Sequence, residues 1–500
     1  MKLLFYILPI VLFIGCKKDC LEKDKCSPST HESSYLIEQE TPVCTGTAYY
    51  IDAQDGKKKN DGKSPDNAFK SVEQLIGIVL KPGDHVLLKR GQYHFGELTI
   101  EHSGTETNPI YVAAYGSGTM PLLKSNKNRD EHTISILNAN YVSVQNLNIQ
   151  GGTFALFIAG SDFTRIEGCR IGEMSHAGIR ATGKYSKTDG SDFGILRYCL
   201  IYSGISGKTG DKQSTDGIQL MDGASNWHVY DNEFKAWAHS AVSIKQIYNS
   251  FENNNNIIEN NLFECGDIDY MRAFDFTGSD LLVQNNVFQR NLILNQTVTS
   301  HLHGNDNTVA YNLFLDLKST NASDQPWAID FHVFIGNTGG HKRKDHVCYN
   351  NKIYNNLFYN WQDGSGIRIL NSKSGTSQIV HNNEIVNNMF YNVGKALEID
   401  SEPTTITITN NLFYNETSTN VAVWEGVNYS LENFELLIGE NDFTILDNIS
   451  DNPLLVDPLS GYFMLTSFSP AINTGKLVGF TQDYLGNEIS GLPEIGALEY

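Results

Sequence analysis

The sequence predicts an all-β fold, a right-handed parallel β-helix, and two observations predict it. A phrase of the type Asn-Asn-Leu-Phe recurs at 231–234, 260–263, 285–288, 311–314, 355–358, 387–390 and 410–413. Its second residue (Asn232, Asn261, Asn286, Asn312, Asn356, Asn388, Asn411) returns after roughly 23 to 32 residues, with one longer interval, which is the mark of a solenoid. The second observation is a strand-like pattern ahead of each phrase: a small residue, an apolar one, a variable one, then usually another apolar one. Examples are Gly217-Ile218-Gln219-Leu220, Ala273-Phe274-Asp275-Phe276 and Ala396-Leu397-Glu398-Ile399.

The phrase reads as a corner. An Asn kept at one corner of every coil can stack its amide on the next, and Asn tolerates the left-handed backbone that a sharp corner needs. The Phe two positions on faces the interior.

The preceding strand carries the chemistry. Strand side chains alternate faces, so the variable residues share the outer surface. They form a column: Arg180, Gln219, Ser243, Asp275, His303, Asp330, Arg368 and Glu398. One pleat further lie Lys245, Thr277, His332 and Asp400. In register, neighbours in such a column sit about 4.8 Å apart.

The chain divides in order. Residues 1–16 read as an export signal, with Lys2, an apolar run Leu3 to Ile14, then Gly15-Cys16. Phe13-Ile14-Gly15-Cys16 resembles a bacterial lipobox, which implies acylation of Cys16 and an exported, outer-membrane-anchored protein; an ordinary signal peptide is the alternative. No later stretch is apolar and long enough to span a bilayer. Residues 17–46 read as a flexible tether, 47–125 as N-terminal cap and first coils, 126–450 as the β-helix and 451–500 as a closing segment. Phe69, Val72, Leu75, Ile76 and Val79 have helical spacing, so a capping helix is expected over the open N-terminal end. Val86 to Leu88, Leu98 to Ile100 and Ile110 to Ala113 read as strands of the first coils. Cys169 and Cys199 occupy the corner position of successive coils, compatible with a disulfide or with two buried thiols. Asp52, Asp55, Asn60 and Asp61 fit either a calcium loop or turn chemistry.

The formal net charge of −20 argues against a nucleic-acid partner. His341 to His346 is a basic run that could clamp an acidic sugar chain or lie solvated in a loop. Insertions at 183–193, 202–214, 316–326 and 336–347 are expected to border the working face.

Several runs carry a resemblance. Asp-Gly-Lys-Ser-Pro at 61–65 (with Asp61 leading), Lys81-Pro82-Gly83-Asp84 and Gly104 to Ile110 near the start are similar to secreted bacterial β-helix proteins of the pectin-lyase-like superfamily. So are Asn452-Pro453-Leu454, Ser469-Pro470-Ala471-Ile472 and Glu494-Ile495-Gly496-Ala497 near the end. The resemblance implies a right-handed parallel β-helix acting on, or binding, polysaccharide. Val242 to Lys245 and Leu302-His303-Gly304-Asn305 locally resemble alginate-lyase and chondroitinase-B-like lyases, although Leu302 stands where that family has Arg.

Two reactions suit the column. An inverting hydrolase needs two carboxylates about 6.5–9.5 Å apart, for which Asp275 and Asp330 are candidates. A lyase acting on a uronate needs a cation beside the carboxylate and a base for the α-proton; Lys245, Arg272, His303 and His332 would serve. Arg180, Gln219, His332, Arg368 and Glu398 are candidate substrate contacts. Trp227, Trp237, Trp327, Trp361 and Trp424 are suited either to sugar stacking or to packing, and His176 and His239 are expected as turn residues. No metal is required by spacing; a calcium ion bridging enzyme and uronate is compatible with the sequence. A polysaccharide-degrading enzyme, a lyase or a hydrolase, is expected, acting as a monomer; a non-catalytic glycan-binding lipoprotein is the other reading.

Overall fold

The computed structural model describes residues 33–126, 131–183, 190–202, 215–235, 239–246, 252–264, 272–278, 282–316, 327–332, 348–370, 380–399, 405–437 and 443–500. Each coil contributes three short parallel strands, and successive coils stack in register. The first face is a continuous sheet of fourteen described strands, from Ala48–Ile51 to Phe443–Leu446. The second and third faces are joined in one larger sheet. The second runs from Tyr93–Phe95 to Leu412–Tyr414, and the third from Leu98–Ile100 to Asn420–Trp424. This is the expected right-handed parallel β-helix.

Corner chemistry explains the register. Asn232 donates from both its backbone N–H and Nδ2 to Asn261 Oδ1, at 3.0 Å each, and Asn261 does the same to Asn291. The ladder continues through Asn312, Asn356, Asn388 and Asn411 to Asn448. Labour is divided within each phrase: the residue ahead of the ladder Asn takes the left-handed backbone (Asn260 at φ 55°, Asn355 at φ 50°), while the ladder Asn bonds. One assignment is corrected. Asn286 belongs to a second ladder, Asn256–Asn286–Asn307–Asn351–Asn383, at a different corner. Its place in the first ladder is taken by Asn291, whose Arg290-Asn291-Leu292-Ile293 lacks the Phe that marks the other phrases.

Cys169 and Cys199 head the first ladder as buried free thiols; the Cys169 N–H meets Cys199 Sγ at 3.3 Å and the Cys199 N–H meets Asn232 Oδ1 at 3.0 Å. Inside, phenylalanines stack coil on coil, as in Phe358 on Phe390 with centroids 4.8 Å apart. Trp227 and Trp361 are buried in the same core and Trp424 nearly so, which makes them packing residues. Trp237 lies outside the described residues.

The N-terminal end is closed differently from expectation. The amphipathic segment forms only a 3-10 turn, Val72–Leu75. Gly77, at φ 84°, ends the turn, so Val72 and Leu75 enter the core while Ile76 and Val79 stay exposed. Residues 37–39, from the stretch expected as tether, lie against the β-helix. From Ile37 the chain runs lengthwise along a corner, with the Ile37 N–H on Tyr198 O and a two-way amide bond between Gln39 and Asn146. Glu38 pairs with Arg90. Residues 1–32, including Cys16, lie outside the described residues. Asp52 and Asp61 bond to backbone and side-chain donors of their own turns, so turn chemistry holds that loop.

At the far end, the hairpin Asn420–Trp424 with Val427–Ser430 and the short helix Leu431–Glu435 bring Phe434 into the core. The closing segment then folds back over the second face. Phe463, Leu465, Ile495 and Leu498 pack on outward-facing Leu313, Leu357, Met389 and Leu412, which accounts for a face apolar on both sides. The third face carries a polar outer column that the closing segment's apolar cluster does not include.

Candidate functional site

The third face carries the expected column, with one substitution. Register pairs Arg180 with Gln219, Gln219 with Ser243 and Ser243 with Asp275. It continues Asp275–His301–Asp330–Arg368–Glu398. His301 is therefore the column residue. His303 stands one pleat on, its N–H bonded to Phe276 O and its ring stacked on His301 at 5.0 Å. The short strand Ser300–Leu302 hid this, because both histidines sit on the same face and either could be aligned.

Strand-start residues fold back onto the column at a spacing of three. Arg272 reaches Asp275, Lys395 reaches Glu398, and Asp216 reaches Gln219. The result is a charged centre on three rungs. Lys245 Nζ lies 2.5 Å from Asp275 Oδ2, across one rung. Arg272 Nη1 lies 3.4 Å from the same oxygen and donates to His301 Nδ1 at 2.9 Å. Thr277 donates to Asp275 Oδ1 at 2.6 Å. Burial by itself would raise the Asp275 pKa; Lys245, His301 and Arg272 outweigh it and hold the carboxyl well below the usual range. His301 is pushed down, first by burial and then by the Arg272 charge, and this favours the neutral ring that accepts from Arg272.

One rung earlier sits a group the sequence reading did not select. Asp216, 3% exposed, faces His239 Nδ1 at 2.7 Å. Its oxygens also accept from the Ser240 N–H at 3.0 Å, Ser243 Oγ at 2.8 Å and Gln219 Nε2 at 2.8 Å. Burial opposes its ionisation, yet His239 and Lys245 hold it anionic, far below the ordinary value. His176, a rung away, is lowered chiefly by burial and feels Arg180, His239 and Lys245. His239 is thus part of the charged centre, while the His176 ring lies edge-on to Phe154 at 5.4 Å. The signal available in the sequence was Asp216 at the head of its strand, one residue before the small-apolar pattern.

The remaining candidates separate. Arg272 and Lys245, expected beside a substrate carboxylate, are drawn together on Asp275. Asp330 lies 3.4 Å from His303 and two rungs from Asp275. Held ionised by its cations, Asp275 suits the base of the hydrolytic pair and not its acid. Arg180 covers the Phe154 ring at 5.3 Å. Arg368 adjoins Glu398, whose carboxylate takes Ser365 Oγ at 2.8 Å and Lys395 at 3.2 Å. His332 is in the strand Trp327–His332, but its side chain, like Asp400 and the basic run 341–346, is outside the described residues.

Calcium asks for six to eight oxygen ligands. Asp275 and Asp216 instead meet Lys245, Arg272 and His239, and no cluster of three or more His, Cys, Asp or Glu among the described residues is set to hold a metal ion. The described donor set does not fit calcium.

No protein-family model matches the chain, and no curated protein matches it. Its shape is similar to that of XylC in complex with xylose, with a TM-score of 0.53 at 11% identity over 90% of this chain and 98% of XylC. It is also similar to the PL6 family alginate lyase AlyGC, with a TM-score of 0.50 at 17% identity over 85% of this chain and 57% of AlyGC. The PL6 polysaccharide lyase Pedsa3628 from Pseudopedobacter saltans gives 0.48 at 15% identity over 85% and 97%. At these identities the likeness speaks to architecture: the chain has a parallel β-helix fold.

Proposed function

We propose that this protein is a polysaccharide lyase that cleaves a uronate-containing glycan by β-elimination on the third face. The observation that carries the reading is the juxtaposition of two anchored cations, Lys245 and Arg272 on Asp275, with an imidazole buttressed by a buried carboxylate, His239 on Asp216. Elimination asks for that set: positive charge where the uronate carboxylate gathers electron density, and a base for the neighbouring C–H.

Each residue then has a role. Asp216 can only accept, so the neutral His239 ring carries its proton on Nδ1 and keeps its lone pair on Nε2. Nε2 removes the proton α to the carboxylate. The C–H electron pair becomes the new carbon–carbon double bond, and the glycosidic C–O bond breaks, its electrons leaving on the departing sugar oxygen, which takes a proton from water while protonated His239 returns its own to solvent. Lys245 and Arg272 stabilise the charge that builds on the carboxylate in between. Asp275 and neutral His301 hold those two cations in place, as positioning residues. Sugar as the ligand is in keeping with two proteins of like shape, XylC bound to xylose and the alginate lyase AlyGC. Export with a lipid anchor at Cys16 belongs to the same proposal and is checked by fatty-acid labelling that Cys16→Ala abolishes.

The test uses His239→Gln and Arg272→Gln with an acidic polysaccharide that the wild type cleaves. Both variants should hold the glycan and lose turnover by 10²-fold or more, on the order expected for a lost general base or charge stabiliser. Full activity in both would remove the site from this reaction. Binding without any turnover in the wild type would make the protein a glycan-binding one.

A further inference from the structure

The column does not begin at Arg180. One rung earlier, register places Phe157 directly beside Arg180, with Ser135 beyond it. An aromatic residue on a polar outer column has no core to fill. In the strand Phe154–Ala159, Phe157 is the one residue that is not buried. Its ring is nonetheless held. His132 packs against it at 4.5 Å, and Phe154 stacks behind it at 5.7 Å with an interplanar angle of 18°. Phe154 in turn lies under the Arg180 guanidinium at 5.3 Å, so the cation and the aromatic face are built as one unit.

We propose that Phe157 and Arg180 form a distal subsite for one sugar ring of an acidic glycan. The apolar C–H face of the pyranose would lie on Phe157, and its carboxylate would face Arg180. This rests on the reading of the third face as the glycan-cleaving surface. Phe157 is four rungs from Asp275, through Arg180, Gln219 and Ser243, or about 19 Å along the stack. A glycan occupying both places must be several sugars long. The ring is fixed before the ligand arrives, so little ordering entropy is lost on binding.

The subsite makes chain length the specificity variable. With the full chain and graded oligosaccharides of a cleaved acidic polysaccharide, Phe157→Ala should raise KM for the long oligomers roughly three- to tenfold, leaving kcat unchanged. The shortest cleaved oligomer should be handled as by wild type. Phe157→Ala gives up the ring's packing on His132 and Phe154 and should unfold at a somewhat lower temperature while staying folded under assay; Phe157→Tyr keeps that packing and should restore KM, and the unchanged handling of the shortest oligomer separates binding from folding. Equal KM for variant and wild type on long oligomers overturns the subsite, as does an equal loss on short and long ones. Should the wild type cleave nothing, affinity electrophoresis in uncleaved alginate, polygalacturonate and chondroitin decides. Weaker retention of Phe157→Ala keeps the subsite while the lyase reading falls; equal retention, or none by wild type, overturns it.

Discussion

His239 Nδ1 stands 2.7 Å from Asp216 Oδ1, a carboxylate that reaches it from the preceding rung. Three further donors, the Ser240 N–H, Ser243 Oγ and Gln219 Nε2, fix the same carboxylate. A group held so completely sets both the orientation and the tautomer of the ring beside it. Asp216→Asn keeps the shape but can present an amide N–H to Nδ1, turning the basic nitrogen inward. It should cost about 10²- to 10⁴-fold in kcat with glycan affinity retained, measured by turnover alongside equilibrium binding.

Asp275 couples the site to acid stability. Its folded pKa is depressed, so its contribution is present above the unfolded value and lost as pH falls through the folded one. That window opens below about pH 4. Asp275→Asn should be destabilised at pH 7, where it leaves Lys245 and Arg272 facing a neutral amide. The gap to wild type should narrow as pH falls to about 3, read from urea unfolding midpoints. A constant gap would mean that the ion pairs contribute nothing.

The closing segment should respond in the opposite direction. Glu499 is pushed up to about 9, mainly by burial and then by its bond to Glu494, with Asp483 adding repulsion. A raised folded pKa gives stability that is complete below the unfolded value and is lost as pH rises toward about 9. Glu499→Gln removes the titration. Its unfolding midpoint should therefore fall less than that of wild type between pH 5 and pH 9, approximately the interval between the two pKa values.

The Asn ladder should be costly to interrupt. Asn356 Oδ1 accepts both Asn312 donors at 2.9 Å, and Asn356 Nδ2 donates to Val309 O at 3.0 Å. Asn356→Ala strands these buried groups together. A loss of roughly 3 kcal/mol or more is expected from chemical denaturation, against a few tenths for the exposed Asn452→Ala.

What was legible in the sequence follows from period. Alternation along a strand fixed which residues face out, so Asp275, Asp330 and Arg368 were aligned without error. Register between coils is weaker information, because a loop can absorb two residues without changing which face a side chain takes. His301 and His303 differ by just that step, and Asn286 and Asn291 differ by which corner they turn. Asp216 and His239 were harder still. They sit at the ends of their strands, where alternation gives no direction, and only the fold brings them together.

The most direct measurement follows cleavage of a panel of acidic and neutral polysaccharides by the purified protein, with ultraviolet absorbance of the conjugated unsaturated uronate and new reducing ends read in parallel. Elimination gives one unsaturated end for every reducing end, and both signals should fall together by about 10²-fold or more in His239→Gln. Reducing ends without the absorbance would contradict it and establish hydrolysis.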